Sequence, residues 1–415
     1  MIRALTSSLL LVLASFALVV MVQNLLGWTF LSGDPETVST FLSSLAQFAA
    51  IPVTIAFGVV VVVIQQQAAT YTGRAGALVV TSPGFMFVVA LLFEVPAFCI
   101  LLLGALDLSG QSVGESTKEW AVGAVGPVLL TFVALGVFSS AWFRRLSPAE
   151  FCGFMATRAV EGLKSGNRDA VSLAVRGLGE SLNNLALSTD YTSLHLCMNF
   201  VTRFLKDYIL EQKPRLLREN PGFFEYRFPE KRTDSAWVER EACTFVKDAT
   251  DALLGKLGPA ESIYYLVDGL LPFGGAAMNA GDGEALEVLA EAFVEMGTTE
   301  RTFGMSVNFN TRPLERSAEG VIWARQNGHH EAGDLLSAVF FVLFAYLDYH
   351  VRSMGPERKF SSNLHEAKAK ELKDAGVDFA RAAKESREKF QGFWIIRFPD
   401  ADAEREEALK RLNRL

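Results

Sequence analysis

One carboxylate, Glu94, stands in the middle of a long apolar run, in "LLFEVPAF". A charge at the centre of a bilayer costs several kcal/mol unless it is protonated, paired or hydrated, so a carboxylate there is a functional hypothesis by default. Pro96 follows two residues later, removing a backbone donor and crowding the preceding turn, which predicts a kink. The chemistry this pair offers is an ion or proton site, or a gate. The plainer alternative is a protonated glutamate tied to a neighbouring helix. A second run, "TIAFGVVVVVIQQQAATYTGRAG", ends abruptly at Gln65, and Pro52, Thr54 and Gly58 interrupt its apolar part. Small and polar residues in such a helix serve close helix packing or, in an oligomer, a pore wall. The pore or ion-site candidates are therefore Glu94, Gln65, Thr54, Gly58 and Pro96.

Other reactive side chains form weaker sets. "HHEAGD" brings His329, His330, Glu331 and Asp334 together in sequence, but adjacent histidines at a helix start point in different directions, so no metal site is expected. The five histidines compose no catalytic triad. The phosphate loop, the G-x-S-x-G elbow and the H-E-x-x-H pair do not occur. Neither an enzyme nor a cofactor is expected. The four cysteines are far apart with no C-x-x-C, which points to thiols used as small apolar fillers in a reducing compartment.

A nine-residue pattern appears twice, "GFFEYRFPE" at 222–230 and "GFWIIRFPD" at 392–400. Both are rich in strand formers, and the proline would end a strand. Arg227, Phe228, Trp394, Arg397 and Phe398 are the interface candidates; equally, the aromatics could plug a core while each arginine pairs with a carboxylate.

The elements that must position these residues fall into two parts. Residues 1–143 hold three basic and six acidic residues and are otherwise apolar, whereas the remainder has the charge of a soluble domain. About 20 apolar residues span a bilayer, and helices are expected at about 5–26, 45–69, 84–106 and 120–143, forming a transmembrane domain over 1–146. Basic residues cluster at Arg3, Arg74 and Arg144–Arg145, and the positive-inside rule places both termini in the cytosol. Residues 151–415 read as helical, with apolar residues at three- and four-residue spacing. "KSGNRDAVSL", "NAGDGEALEV" and "QNGHHEAGDL" share Gly-x-x-acid-Ala, the pattern of a helix, a tight turn and a new helix with a carboxylate in its first turn. The joints at Gly166 and Gly328 precede the two Arg-Phe-Pro stretches by similar distances. That predicts an internal duplication, with unit A at 151–240, an insert at 241–314 and unit B at 315–415. The fold class is all-α: a four-helix transmembrane bundle followed by helical hairpins, with two short strand-like segments.

Phe57, Gly58, Gln65, Ala68 or Ala69, Tyr71 and Arg74 resemble the second membrane helix of an uncharacterised family of predicted bacterial four-helix membrane proteins. Gly73 stands where that family has proline, and "SGNRDA" lacks both prolines of its Ser-Pro…Asn-Asp-Pro motif. The resemblance covers about the first 180 residues. It implies an inner-membrane protein with a cytosolic C-terminal domain and no particular activity. The expectation is an oligomeric ion channel or transport pore with a cytosolic assembly or regulatory domain. Its partners would be the lipid bilayer, further copies of itself and ions. The alternative is a membrane-anchored scaffold or sensor whose helical domain binds a cytosolic protein. Neither part is basic enough for nucleic acid.

Overall fold

The computed structural model describes residues 2–26, 34–70, 83–105, 114–144, 147–188, 190–226, 232–256, 258, 260–298, 311–353 and 360–415. The described chain is almost wholly helical, an all-α fold, and divides into two compact units, Met1–Glu150 and Phe151–Leu415.

The first unit contains α1 (Ile2–Leu26), α2 (Pro35–Thr70), α3 (Pro83–Ala105), α4 (Glu115–Gly123) and α5 (Val125–Arg144). Asp34 caps α2: its carboxylate accepts from the Thr37 backbone N–H at 3.2 Å and the Thr37 hydroxyl at 3.0 Å, while Pro35 occupies the first helical position. At 36 residues, α2 starts well before the expected residue 45. A rise of about 1.5 Å per residue makes it longer than a bilayer core is thick. Both α2 and α3 continue through their internal prolines, Pro52 and Pro96. The core is dry, built from Val12, Val38, Leu42, Leu91, Val95 and Cys99. Gly126 lets α5 approach α1, since a Cβ there would sit 2.4 Å from the Ser15 carbonyl oxygen.

The second unit begins with α6 (Pro148–Ser165, entered from the end of the first), α7 (Arg168–Ser188) and α8 (Tyr191–Asp207). A π-helical turn at Tyr208–Gln212 leads into α9 (Lys213–Glu219) and a 3₁₀ turn at Pro221–Phe224. Strands β1 (Glu225–Tyr226) and β2 (Arg232–Thr233) pair antiparallel. Then come α10 (Trp237–Gly255), α11 (Ala260–Asp268), α12 (Leu271–Ala280), α13 (Gly283–Gly297), α14 (Thr311–Gln326), α15 (His330–Ser353), α16 (Phe360–Asp374), α17 (Phe379–Lys389), α18 (Gln391–Arg397) and α19 (Ala401–Arg414). The boundary expected at 240/241 falls inside α10, which packs against α7 of the preceding segment.

The joints share one geometry. Gly166, Gly281 and Gly328 have φ of 64°, 66° and 79°. In each, the glycine N–H donates to the carbonyl three residues back and the next N–H to the carbonyl five back, which satisfies the last carbonyls of the incoming helix. Gly376 makes a fourth such turn. Its acid, Asp378, comes one position earlier than in the other joints and caps α17, accepting from the Ala380 and Arg381 backbone N–H groups.

The two Arg-Phe-Pro stretches differ in conformation. In the first, Glu225–Tyr226 forms a two-residue ladder with β2, and Arg227 and Phe228 lie outside the described residues. The second, expected as a strand, is the helix α18. One helical turn stacks Trp394 on Phe398, four residues apart, at 4.8 Å between ring centroids, and docks both near Phe341 and Tyr346 of α15. Packing has overridden strand propensity.

Candidate functional site

Four helical stretches among the described residues are long and apolar enough to cross a membrane: Thr6–Leu25, Phe85–Ala105, Ser116–Ser140 and His330–His350. The first three belong to the first unit and are 17, 39 and 56% buried; the last, most of α15, is 83% buried within the protein. A helix apolar all round is either a membrane span or a core helix. Ala338–Leu347 of α15 are all buried, packed by α13, α14, α16, α17 and α19. The membrane assignment therefore rests on the first unit.

Within that unit Glu94 sits at the edge of the core face of α3, between buried Leu91 and Val95 and exposed Phe93. Its Oε2 is shielded and has no hydrogen-bond partner among the described residues. An unsatisfied polar atom in an apolar setting costs free energy.

Thr54, Gly58 and Gln65 do not converge on Glu94 inside the unit; all three are exposed. They lie on one stripe of α2 that continues through exposed Gln47 and Thr40. The stripe, 40, 47, 54, 58 and 65, advances by steps of seven, seven, four and seven, the spacing that keeps side chains on one helix face. The sequence reading missed Thr40 and Gln47, although their heptad offsets from Thr54 were legible. A Cβ added at Gly58 would meet nothing within 4 Å. Tyr71 and Arg74 lie outside the described residues.

The second unit holds a polar cluster that the sequence reading did not find. Lys213 Nζ lies 2.6 Å from Glu239 Oε1 and 2.5 Å from Asp282 Oδ2, with Lys213 and Glu239 buried. Asp282 also caps α13, accepting from the Ala285 backbone N–H at 3.1 Å. One lysine thus ties α9, α10 and the Gly281 joint together. Burial raises Glu239 to about 7 against the pull of Lys213, and its Oε2 has no partner among the described residues. The same two carboxylates hold Lys213 above its ordinary range despite burial. Tyr208, in the π-turn, keeps a buried hydroxyl with no described partner, and burial pushes it up too. The available signal was Glu239 itself, a carboxylate in register with buried Ala242, Cys243 and Val246.

A cleft of about 960 Å³ opens where the Gly166 joint meets the first Arg-Phe-Pro stretch. Asn220 Nδ2 donates to the Gly166 carbonyl at 3.3 Å, and Arg168 donates to the Glu225 carbonyl with its guanidinium 4.9 Å from the Trp237 ring centroid. Arg176 pairs with Glu241 along the same wall. A backbone carbonyl and an indole ring thus engage Arg168, and a carboxylate engages Arg176.

The remaining described candidates lie in the second unit. Trp394 and Phe398 are buried, not surface residues, and Trp394 Nε1 donates to the Ser386 carbonyl at 3.2 Å. Arg397 is half-buried. His329 stacks on Trp323, 5.6 Å between centroids. No three His, Cys, Asp or Glu side chains gather within metal-binding reach of one another among the described residues.

The fold and these sites define an all-α protein whose first unit carries membrane-length apolar helices and whose second is a densely packed helical domain. No protein-family model, curated protein or solved structure matches the chain.

Proposed function

We propose that the chain is one subunit of an oligomeric membrane pore, with residues 151–415 serving assembly or regulation in the cytosol. The exposed polar residues of α2, Thr40, Gln47, Thr54 and Gln65, which stand among exposed Ile51, Ile55 and Val61, carry this reading. Hydroxyl and amide groups turned to hydrocarbon would go unsatisfied. Another copy of the helix, or a water-filled path, supplies the missing partners. The unit's own interior is packed mainly by apolar side chains, with Ser8, Gln23 and Thr131 buried among them, so a conduit would lie between copies, around a symmetry axis. Glu94, with its unpartnered oxygen on α3, is the residue best suited to act on a passing cation. Basic residues at Arg3, Arg74 and Arg144–Arg145 support a cytosolic second unit, and the resemblance in α2 supports a bacterial inner membrane.

The test is ion flux into vesicles reconstituted with the full chain. Wild type should conduct, and Glu94→Gln should change the conductance or cation preference several-fold. A wild type that is monomeric and passes no ion overturns the proposal.

The cleft beside Arg168 and Trp237 favours a second reading, a membrane-anchored scaffold. Capture of one defined cytosolic protein by the detergent-solubilised chain, lost in Arg168→Glu and accompanied by no flux, would select it.

A further inference from the structure

Two of the four cysteines meet. Cys152, in the second turn of α6, and Cys197, in the middle of α8, point their sulfurs at each other with Sγ atoms 2.7 Å apart, and both are fully buried. The Cys197 sulfur also lies 3.8 Å from the Leu178 carbonyl of α7, so the pair occupies the junction of the second unit's first three helices. Cys99 and Cys243 are buried elsewhere. A covalent S–S bond needs about 2.05 Å, and two sulfurs already in contact can reach it with small side-chain movements.

We propose that Cys152 and Cys197 are a redox modification site that closes to an intramolecular disulfide. Two S–H bonds break and one S–S bond forms. The two electrons and two protons pass to a disulfide of the small-molecule or protein exchange class, which leaves as two thiols. Exchange runs through a thiolate. In the reduced fold burial holds Cys197 well above its ordinary range and the neighbouring Cys152 adds to this, so the Cys197 sulfur rests as a neutral thiol. Oxidation is therefore slow in the closed fold and proceeds when α6 opens from α8. The bond would close a segment of 45 residues and pin the helix that leads out of the membrane unit into the second one. In a reducing cytosol such a bond reports oxidation rather than building the fold.

The experiment uses the full chain in detergent, held for hours at mildly alkaline pH with oxidised glutathione or with a reductant. It is then unfolded, its thiols are counted by maleimide mass shift and its peptides are mapped. The expected result is four maleimides after reduction and two after oxidation, with the Cys152 and Cys197 peptides linked. The oxidised form should melt higher, on the order of 5–10 °C, and Cys152→Ala should show three maleimides in both states with no melting difference. Four maleimides after oxidation, or glutathione adducts in place of the linked peptides, overturns the proposal.

Discussion

Helices α3 and α15 both satisfy the same requirement for a membrane span, yet they differ in how much of each the protein itself covers. Phe85–Ala105 has a mean hydropathy of 2.6 and is 39% buried, while His330–His350 has 1.5 and is 83% buried. Five other helices enclose α15. Helix α3 leaves Phe93, Ile100 and Leu101 exposed. Apolar length therefore says only that water is excluded. Packing partners decide whether protein or lipid excludes it.

Matched truncations break or sharpen this contrast. Phe341 is fully buried in α15, and Phe341→Ala should cost about 3–5 kcal/mol. Leu101 of α3 is 70% exposed, and Leu101→Ala should cost under about 0.5 kcal/mol. Thermal unfolding in detergent measures both, and equal losses would erase the distinction. Lys213→Met strands Glu239 and Asp282 and should cost a similar 3–5 kcal/mol or so.

Glu239 adds a pH signature. Its pKa rises from 4.5 to about 7 on folding, so between those values the folded state holds a proton that the unfolded state has released. Stability should fall as pH rises across that window, by up to about 1.4 kcal/mol per pH unit. Glu239→Gln should flatten the profile. A profile that is already flat in the wild type would contradict a buried, underpaired carboxylate.

Smaller effects belong to α2. Interhelical hydrogen bonds in membranes average about 0.6 kcal/mol, so combining Gln47→Leu, Thr54→Val and Gln65→Leu should weaken self-association by about 2 kcal/mol, read as a lower oligomer fraction on dilution into detergent. The smallest change is expected at Ile395, 67% exposed on α18, where Ile395→Ser should shift stability by under about 0.5 kcal/mol.

The all-α architecture was legible because both helix signals are local: uncharged apolar runs before residue 143 and three-and-four spacing after it. Three of the four glycine joints were legible for the same reason, since a left-handed turn needs glycine and its first-turn carboxylate follows at a fixed offset. The Gly376 joint escaped because its acid moved by one residue. Residues 392–398 were expected as a strand because strand propensity is local, while the stacking of Trp394 and Phe398 against α15 is not. Lys213, Glu239 and Asp282 come from three separate helical segments, and Cys152 and Cys197 from two. No spacing rule brings such residues together. Glu94 was conspicuous by composition alone, but its unpartnered oxygen needed the packed helices around it. The polar stripe of α2 was half legible: its heptad steps are in the sequence, while its outward direction follows from how α2 packs.

That outward direction underlies the proposed assembly, in which copies of the chain meet along the exposed α2 stripe that carries Gln47, Thr54 and Gln65. The direct measurement is oxidative cross-linking in native membranes of two single-cysteine variants, Thr54→Cys on that stripe and Leu101→Cys on the exposed apolar face of α3. A cross-linked species of twice the 45.4 kDa chain mass is expected at position 54 and none at position 101. Equal cross-linking at both positions, or none at 54, would contradict it.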